Sequence, residues 1–199
     1  MVGSHIADRL LEGGAARVLA LDNMFRGRMS NIEAVLSTGR FELVVGDIRD
    51  RDLVDRVMSH VDFVFHEAAV KIHRCNEHPR EALEILVDGS FNVIESASEH
   101  QVKKLIVASS GSVYGEPCYL PMDEAHPYKN DTLYGAGKLA MEAFLPAFSR
   151  THGLSYCICR PFNVYGERMD ASGAYTEVIV RWLTAIDSQG PIVIHGDGT

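Results

Sequence analysis

The chain has 199 residues, 46% of them hydrophobic and 23% charged, which is enough apolar material for one sizeable core. Its formal net charge of -8 argues against binding to nucleic acid or to a membrane surface. No apolar run has the length of a membrane-spanning helix, and no secretory signal is visible at the N-terminus. We therefore expect a cytoplasmic protein.

The chain alternates between segments with helical periodicity and short apolar runs. Helices are predicted over residues 3–11, 31–36, 52–58, 80–100, 132–152 and 174–187. Strands are predicted over residues 17–21, 41–45, 61–66, 104–108, 155–159 and 192–194. Because the strands are continuous apolar runs separated by helices, we expect a parallel sheet with helices on both faces.

Several residues suited to ligand contacts stand where the predicted strands end. These are Asp22, Asp47, Ala68, Ser110 and Asn163. In open parallel sheets, ligands bind beyond the carboxyl ends of the strands. The convergence of these positions therefore predicts a ligand site at one edge of the sheet.

The stretch from residue 109 to residue 138 carries the clearest chemical signal. A hydroxyl cluster follows an apolar strand, and Tyr134 precedes Lys138 by one helical turn. A nearby ammonium favours phenolate, so we expect the pKa of Tyr134 to fall from about 10 towards neutrality. Such a phenol can take a proton from an alcohol, with Ser110 bonded to the same oxygen, while hydride leaves the carbon. The alternative is a solvated helix face, where the same spacing occurs by chance.

The first third of the chain carries a second signal, for a dinucleotide. Asp22 ends a strand where an acidic residue accepts hydrogen bonds from ribose hydroxyls and repels a 2′-phosphate. This favours NAD over NADP, although Arg26 and Arg28 nearby weaken the preference, and a turn aspartate is the alternative. Only Gly3 remains of a phosphate-binding glycine loop, so we expect that about ten residues, including the central strand, are missing.

The four cysteines show no disulfide-framework spacing. Cys157 and Cys159 alternate along a predicted strand, so we expect both to be buried on one face. His73, Cys75 and His78 suggest metal ligands, but no fourth ligand stands at a telling distance. A polar loop is the favoured interpretation of that stretch, and no metal is predicted.

Seven segments together resemble a known family. They lie at residues 3–5, 21–23, 46–50, 66–69, 109–115, 134–138 and 160–166. In this order and spacing, they resemble the NAD-dependent epimerase/dehydratase family of extended short-chain dehydrogenases/reductases. Within that family the chain is most similar to the sugar-nucleotide 4-epimerases, and the resemblance covers essentially all of it.

The resemblance implies a role for each matching residue. The catalytic group would be Ser110, Tyr134 and Lys138. NAD would contact Gly3, Asp22, Asn23, Asp47, Ile48, Ala68, Ala69, Lys71, Tyr134, Lys138 and Pro161. The nucleotide-sugar substrate would contact Lys71, Ser110, Ser112, Tyr134 and Asn163.

The resemblance also bears on which reaction is catalysed. Relatives that dehydrate or decarboxylate the sugar carry acidic residues directly after the catalytic hydroxyl, whereas this chain has Gly111 and Ser112. We therefore expect a 4-epimerase acting on UDP-glucose and UDP-galactose, or on their N-acetyl analogues. A dehydratase, decarboxylase or reductase is the alternative enzyme, and a non-catalytic nucleotide-binding protein or inactive fragment is the alternative of another class.

The implied architecture is a Rossmann-type doubly wound parallel sheet lacking its first strand, with the start of a small substrate-binding lobe. A single incomplete domain would span residues 1–199, with the lobe beginning at about residue 161. Family members are commonly homodimers, and the helices at 80–100 and 132–152 would pair. The resemblance has two departures. Leu86 stands where relatives usually carry an asparagine near the cofactor, and residues 174–176 lack the asparagine that often contacts the substrate phosphates. With both ends short, we expect this fragment to be poorly stable and weakly active alone.

Overall fold

The computed structural model describes residues 1–169 and 178–194. The chain forms two compact units, one of residues 2–162 and one of residues 163–199 together with Met1. The first unit contains the strands β1 Val18–Asp22, β2 Phe41–Val45, β3 Phe63–His66, β4 Lys104–Ala108 and β5 Tyr156–Cys159. Its helices are α1 Val2–Glu12, α2 Glu33–Leu36, α3 Arg51–Met58, α4 Ile72–Glu77, α5 Pro79–Leu83, α6 Ser90–Glu99 and α7 Leu133–His152. Short 3-10 turns occupy Met29–Asn31 and Gly111–Val113.

All strand pairs are parallel, which confirms the predicted α/β fold. β1 pairs with β2, with Val18 opposite Phe41. β4 lies between β3 and β5 in a separate sheet of three strands. Within the described residues, no strand pairs with the second edge of β1 or of β3. This is the arrangement expected of a doubly wound sheet without its central strand.

The main core lies between the three-stranded sheet and helices α3, α6 and α7. Fully buried side chains at its centre are Ile94, Leu105, Val107, Met141 and Leu145. A smaller cluster holds α1 and α2 against β1 and β2, through Ala7, Leu11, Val35 and Phe41. These two clusters pack the helices against both sheets, and so they support the carboxyl ends of the strands, where the site is predicted.

The predicted helix at residues 80–100 is one helical path with an irregular middle. α5 leads into a π-helical segment, Glu84–Gly89, which leads into α6. At Gly89 a side-chain Cβ would lie 2.7 Å from Cγ1 of Ile48, so the close approach of these segments requires glycine. Short π segments inside helices occur frequently at functional sites.

Two predictions were wrong in this part of the structure. The stretch interpreted as a polar loop forms α4, in which Cys75 is fully buried against an apolar cluster. Cys157 and Cys159 do face one side of β5, but that side is exposed. Among the described residues, no group of three histidine, cysteine or acidic side chains is placed to hold a metal ion.

The second unit contains one described helix, α8 Val178–Asp187. The predicted start of this helix at residue 174 lies outside the described residues. The stretch 174–176, one of the two departures from the family resemblance, also lies outside them. No strand forms at 192–194, so that prediction was wrong; instead the Trp182 indole Nε1 donates to the carbonyl of Val193 at 3.1 Å. Over the part of the chain that the structure describes, no helix has the length and apolarity needed to cross a membrane.

Candidate active site

Helix α7 begins at the residue before Tyr134 because its first turn is capped. The Thr132 hydroxyl accepts a hydrogen bond from the Gly135 amide at 3.0 Å. A Cβ at Gly135 would lie 1.9 Å from the Asn130 side-chain oxygen, so the incoming loop packs directly on the helix. The cap and this close approach fix the end of α7 that carries the predicted catalytic phenol.

Ser110 follows directly after β4 and its neighbour Ser109. Its hydroxyl accepts from the Ser112 amide and lies 3.1 Å from the Ser112 hydroxyl. The Ser110 side chain also lowers the pKa of Tyr134, against the larger effect of burial. The structure therefore brings together three residues that the sequence predicted to act on one substrate.

Lys138 lies one turn further along α7 and is 2% exposed. Its ammonium donates to the Ala108 carbonyl at 2.5 Å and lies 5.9 Å from the centre of the Tyr134 ring. Burial lowers the pKa of Lys138 to about 8, against the opposing effects of Glu67, Cys75 and Glu142. The cation is thus held between the end of β4 and the predicted base.

The predicted fall in the Tyr134 pKa was wrong. Burial raises the pKa of Tyr134, and Ser110 opposes this only in part. The burial arises from an apolar cluster that includes Cys75 and Leu86, against which the Tyr134 ring packs. Leu86, 1% exposed, thus forms an apolar wall beside the Tyr134 ring.

Acidic groups gather at the carboxyl ends of β1 and β2. Asp47 accepts hydrogen bonds from Arg49 at 2.9 Å and from the Asn23 amide at 2.9 Å. The hydrogen bonds from Arg49 hold the pKa of Asp47 well below its usual range. One oxygen of Asp22 accepts from the Met24 amide at 2.7 Å, and a carboxylate has capacity for further bonds. This set of acceptors and donors fits the adenosine half of NAD.

The other predicted cofactor residues occupy separate positions. Ile48 is buried next to Asp47, and Ala68 and Ala69 follow β3. Lys71 precedes α4, and the Pro161 carbonyl accepts from the Gly111 amide at 2.9 Å, which places it beside the serine cluster. Gly3 lies in α1, where an added Cβ would meet nothing within 4 Å. Asn163 belongs to the second unit.

Sequence reasoning assigned no individual role to two groups at the end of β3, the buried His66 and the half-buried Glu67. His66 lies 2.9 Å from the Ser90 hydroxyl, and burial lowers its pKa to about 3, so its ring is neutral at pH 7. Burial raises the pKa of Glu67, while Lys138 opposes that effect. Both residues belong to the motif at 66–69, which was the available signal.

A further group lies beneath the predicted catalytic residues. The Glu142 carboxylate contacts both Ser109 and Arg160, which are carried by the ends of two strands. Ser109 and Arg160 lie within the segments that resemble the family, whereas Glu142 lies outside them. Glu142 was not singled out, because its partners are distant in sequence.

Comparison with known proteins places this geometry in context. A profile of the NAD dependent epimerase/dehydratase family matches residues 1–199. A putative UDP-glucose 4-epimerase of Methanocaldococcus jannaschii is 38% identical over 200 residues, which cover 99% of this chain and 63% of the relative. A UDP-glucose 4-epimerase of Mycolicibacterium smegmatis is 33% identical over 201 residues, covering 100% and 64%.

Solved structures give the same result. The UDP-N-acetylglucosamine 4-epimerase of Methanobrevibacter ruminantium M1, in complex with UDP-N-acetylmuramic acid, has a TM-score of 0.93 and 31% identity. It is matched over 100% of this chain and 63% of its own. The chain therefore spans less than two thirds of the length of these relatives.

Proposed function

Since the chain belongs to the NAD-dependent epimerase/dehydratase family, we propose that the whole protein is a sugar-nucleotide 4-epimerase. The substrate would be UDP-glucose and UDP-galactose, or their N-acetyl analogues. The observation that carries the proposal is the position of the Lys138 ammonium, which lies 5.9 Å from the centre of the Tyr134 ring and donates to the carbonyl of Ala108, two residues before Ser110. The similar proteins reported above are named as 4-epimerases, which supports the same choice.

Each residue of this group has a defined task in the proposed reaction. Tyr134 takes the proton of the sugar hydroxyl, and Ser110 hydrogen-bonds the same oxygen. Bound NAD would supply the hydride acceptor and donor for the sugar carbon. Lys138 contributes a positive charge beside Tyr134, which favours phenolate once the phenol gives up its proton. Asp22 and Asp47 would hold the adenosine end of the cofactor.

The alternative reactions need an acid that this site does not provide next to Ser110. A Cβ at Gly111 would lie 2.8 Å from the Phe162 ring, so an acidic side chain there would require the ring to move. Ser112, at the next position, is not an acid at neutral pH. This packing favours the epimerase over a dehydratase or decarboxylase.

The test uses the product of the complete gene, incubated separately with UDP-galactose and UDP-N-acetylgalactosamine. We expect conversion to the gluco epimer, abolished in Tyr134→Phe and retained in Tyr119→Phe, which removes a hydroxyl bonded to Asp123. Loss of water from either substrate would instead establish a dehydratase, and release of carbon dioxide from UDP-glucuronic acid, in a third incubation, would establish a decarboxylase. An unchanged substrate would favour a binding role or another nucleotide-sugar.

Two further proposals concern the assembly and location of the protein. The proposed homodimer pairs through α6 and α7, where Phe91 packs edge-on against Phe144 and Phe148 at 5.3 and 5.6 Å. These rings are half-buried on a face shared by the two helices. Light scattering of the complete gene product tests the dimer. The four free cysteines support a location in the reducing cytoplasm.

A further inference from the structure

A buried ion pair lies directly beneath the predicted catalytic residues. Glu142 follows Tyr134 and Lys138 at four-residue intervals along α7 and is 6% exposed. Arg160, the first residue after β5, donates from Nε to Oε1 at 2.9 Å and from Nη2 to Oε2 at 2.7 Å. Such a two-point fork fixes the orientation of both side chains.

Aromatic rings hold the arginine from two sides. The Arg160 guanidinium lies 5.2 Å from the centre of the Tyr114 ring and 5.1 Å from that of Tyr128. It also donates to both tyrosine hydroxyls. Burial alone would raise the pKa of Glu142, but hydrogen bonds from Arg160 and Ser109 hold it below its ordinary value. The pair is therefore ionised and rigidly placed.

Hydrogen bonds join the end of β4 to α7 at two consecutive residues. The Ala108 carbonyl accepts from Lys138, and the Ser109 hydroxyl donates to Glu142. The next residue, Ser110, acts on Tyr134, whose pKa it lowers. Tyr134, Lys138 and Glu142 lie on successive turns of one face of α7. The bond from Ser109 is the one anchored by the Glu142–Arg160 fork.

We propose that Ser109 is a positioning residue, which uses the Glu142–Arg160 pair to hold Ser110 in place beside Tyr134. Ser109 itself is 2% exposed, lies behind Ser110 and serves the reaction through it. Without the bond to Glu142, the strand end loses one of its two hydrogen bonds to α7, and the bond from Lys138 to Ala108 remains. A shift of about 1 Å at a reacting group can lower a rate about a hundredfold. The inference rests on the proposed epimerase function.

The test compares Ser109→Ala with Ser96→Ala in the complete gene product. Both variants remove a buried hydroxyl that contacts a carboxylate, but Ser96 contacts Asp55 on the other side of the core. We expect Ser109→Ala to lower kcat at least tenfold with an unchanged KM, and Ser96→Ala to leave both unchanged. The Glu142–Arg160 fork stays intact in Ser109→Ala, so the variant should fold.

The pH profile separates positioning from a general loss of stability. Ser110 lowers the pKa of Tyr134. If Ser110 moves away in Ser109→Ala, the pKa of Tyr134 should rise, and the acidic limb of the curve of kcat against pH should move to higher pH. Tyr134 is also faced by Cys75 from α4 and Lys138 from α7, and Glu67 at the end of β3 acts on Lys138. None of these groups changes in the variant. A lower melting temperature with an unmoved limb and unchanged kcat would overturn the proposal.

A structural measurement keeps the inference separate from the proposed reaction. Crystal structures of the wild type and of Ser109→Ala give the distance between the Ser110 and Tyr134 oxygens, whichever reaction the enzyme catalyses. A longer distance in Ser109→Ala, and not in Ser96→Ala, supports the positioning role even if no epimer forms. An unchanged distance refutes it.

Discussion

Lys138 is a buried cation, and its burial has a consequence for stability. The pKa falls from 10.5 to about 8, a difference equivalent to roughly 3 kcal/mol. Lys138→Met removes this cost, but it also removes the hydrogen bond to the Ala108 carbonyl, which reduces the gain. We therefore expect the free energy of unfolding at pH 7 to rise by about 1–2 kcal/mol. The same variant should lose activity. Urea denaturation of both proteins measures the difference.

The pH dependence supplies the control for that substitution. Below pH 8 the folded wild type carries the charge, so the advantage of Lys138→Met is complete. Between pH 8 and 10.5 the folded protein gives up the proton while the unfolded chain retains it, so the advantage should fall. An advantage that stays constant to pH 10.5 would show that the Lys138 charge is not its source.

Asp22 allows a prediction about cofactor choice. In Asp22→Ser the carboxylate that would repel a 2′-phosphate is removed, while a hydroxyl remains to accept from the Met24 amide. We expect the ratio of NADP affinity to NAD affinity to rise at least tenfold, measured by fluorescence titration. Asp62→Asn, which removes an exposed carboxylate paired with Lys103, should leave the ratio unchanged. Equal ratios in both variants would remove Asp22 from the site.

At the scale of single residues, sequence reasoning identified groups that neighbouring elements bring together. Ser110 and Tyr134 were predicted to meet because one ends a strand and the other begins a helix at the same edge. The direction of the Tyr134 pKa was not predictable, since its burial depends on Leu86, far away in the sequence. Glu142 escaped notice for the same reason, because it is an ordinary helix residue without its partner Arg160.

The N-terminus of α7 gives a prediction at the scale of an element. Thr132→Ala removes the hydroxyl that accepts from Gly135, and loss of such a cap costs about 1 kcal/mol. Because Tyr134 lies in the first turn, we also expect kcat to fall several-fold. Thermal denaturation and turnover measure the two effects, and Thr132→Ser should restore both.

A second capped helix provides the comparison. The Asp50 carboxylate accepts from the Leu53 amide at the start of α3, at 3.0 Å. Asp50→Ala should lower stability as much as Thr132→Ala, but leave kcat unchanged at saturating NAD. If the two variants affect kcat equally, general destabilisation explains the loss and the position of α7 does not.

Element boundaries were predictable where periodicity and caps agree. β2 and β4 were predicted at the residues where they occur, and α3 and α7 were predicted within one residue. The π-helical segment Glu84–Gly89 was not, because its apolar pattern is that of an ordinary helix. α4 was missed because its polar sequence has no helical pattern, and only tertiary packing around Cys75 stabilises it.

At the scale of the whole molecule, the strands form one sheet of two strands and one of three, and this division leaves strand edges unpaired. β4 is paired on both sides, whereas β1 and β3 each have one edge without a partner among the described residues. Phe63 and Phe65 of β3 are 55% and 36% exposed, so the free edge also carries apolar side chains. Unpaired edges of this kind favour association between chains.

The polypeptide of residues 1–199 should therefore show uneven protection in hydrogen exchange. We expect the β1 and β3 amides that point away from their paired strands to exchange at least a hundredfold faster than those of β4, which serves as the internal reference. Its thermal transition should be broad and of low enthalpy, because the two sheets are joined only through helices and loops. Equal protection would mean that the edges are paired. Dilution then identifies the partner, since protection supplied by a second copy of the chain is lost as concentration falls.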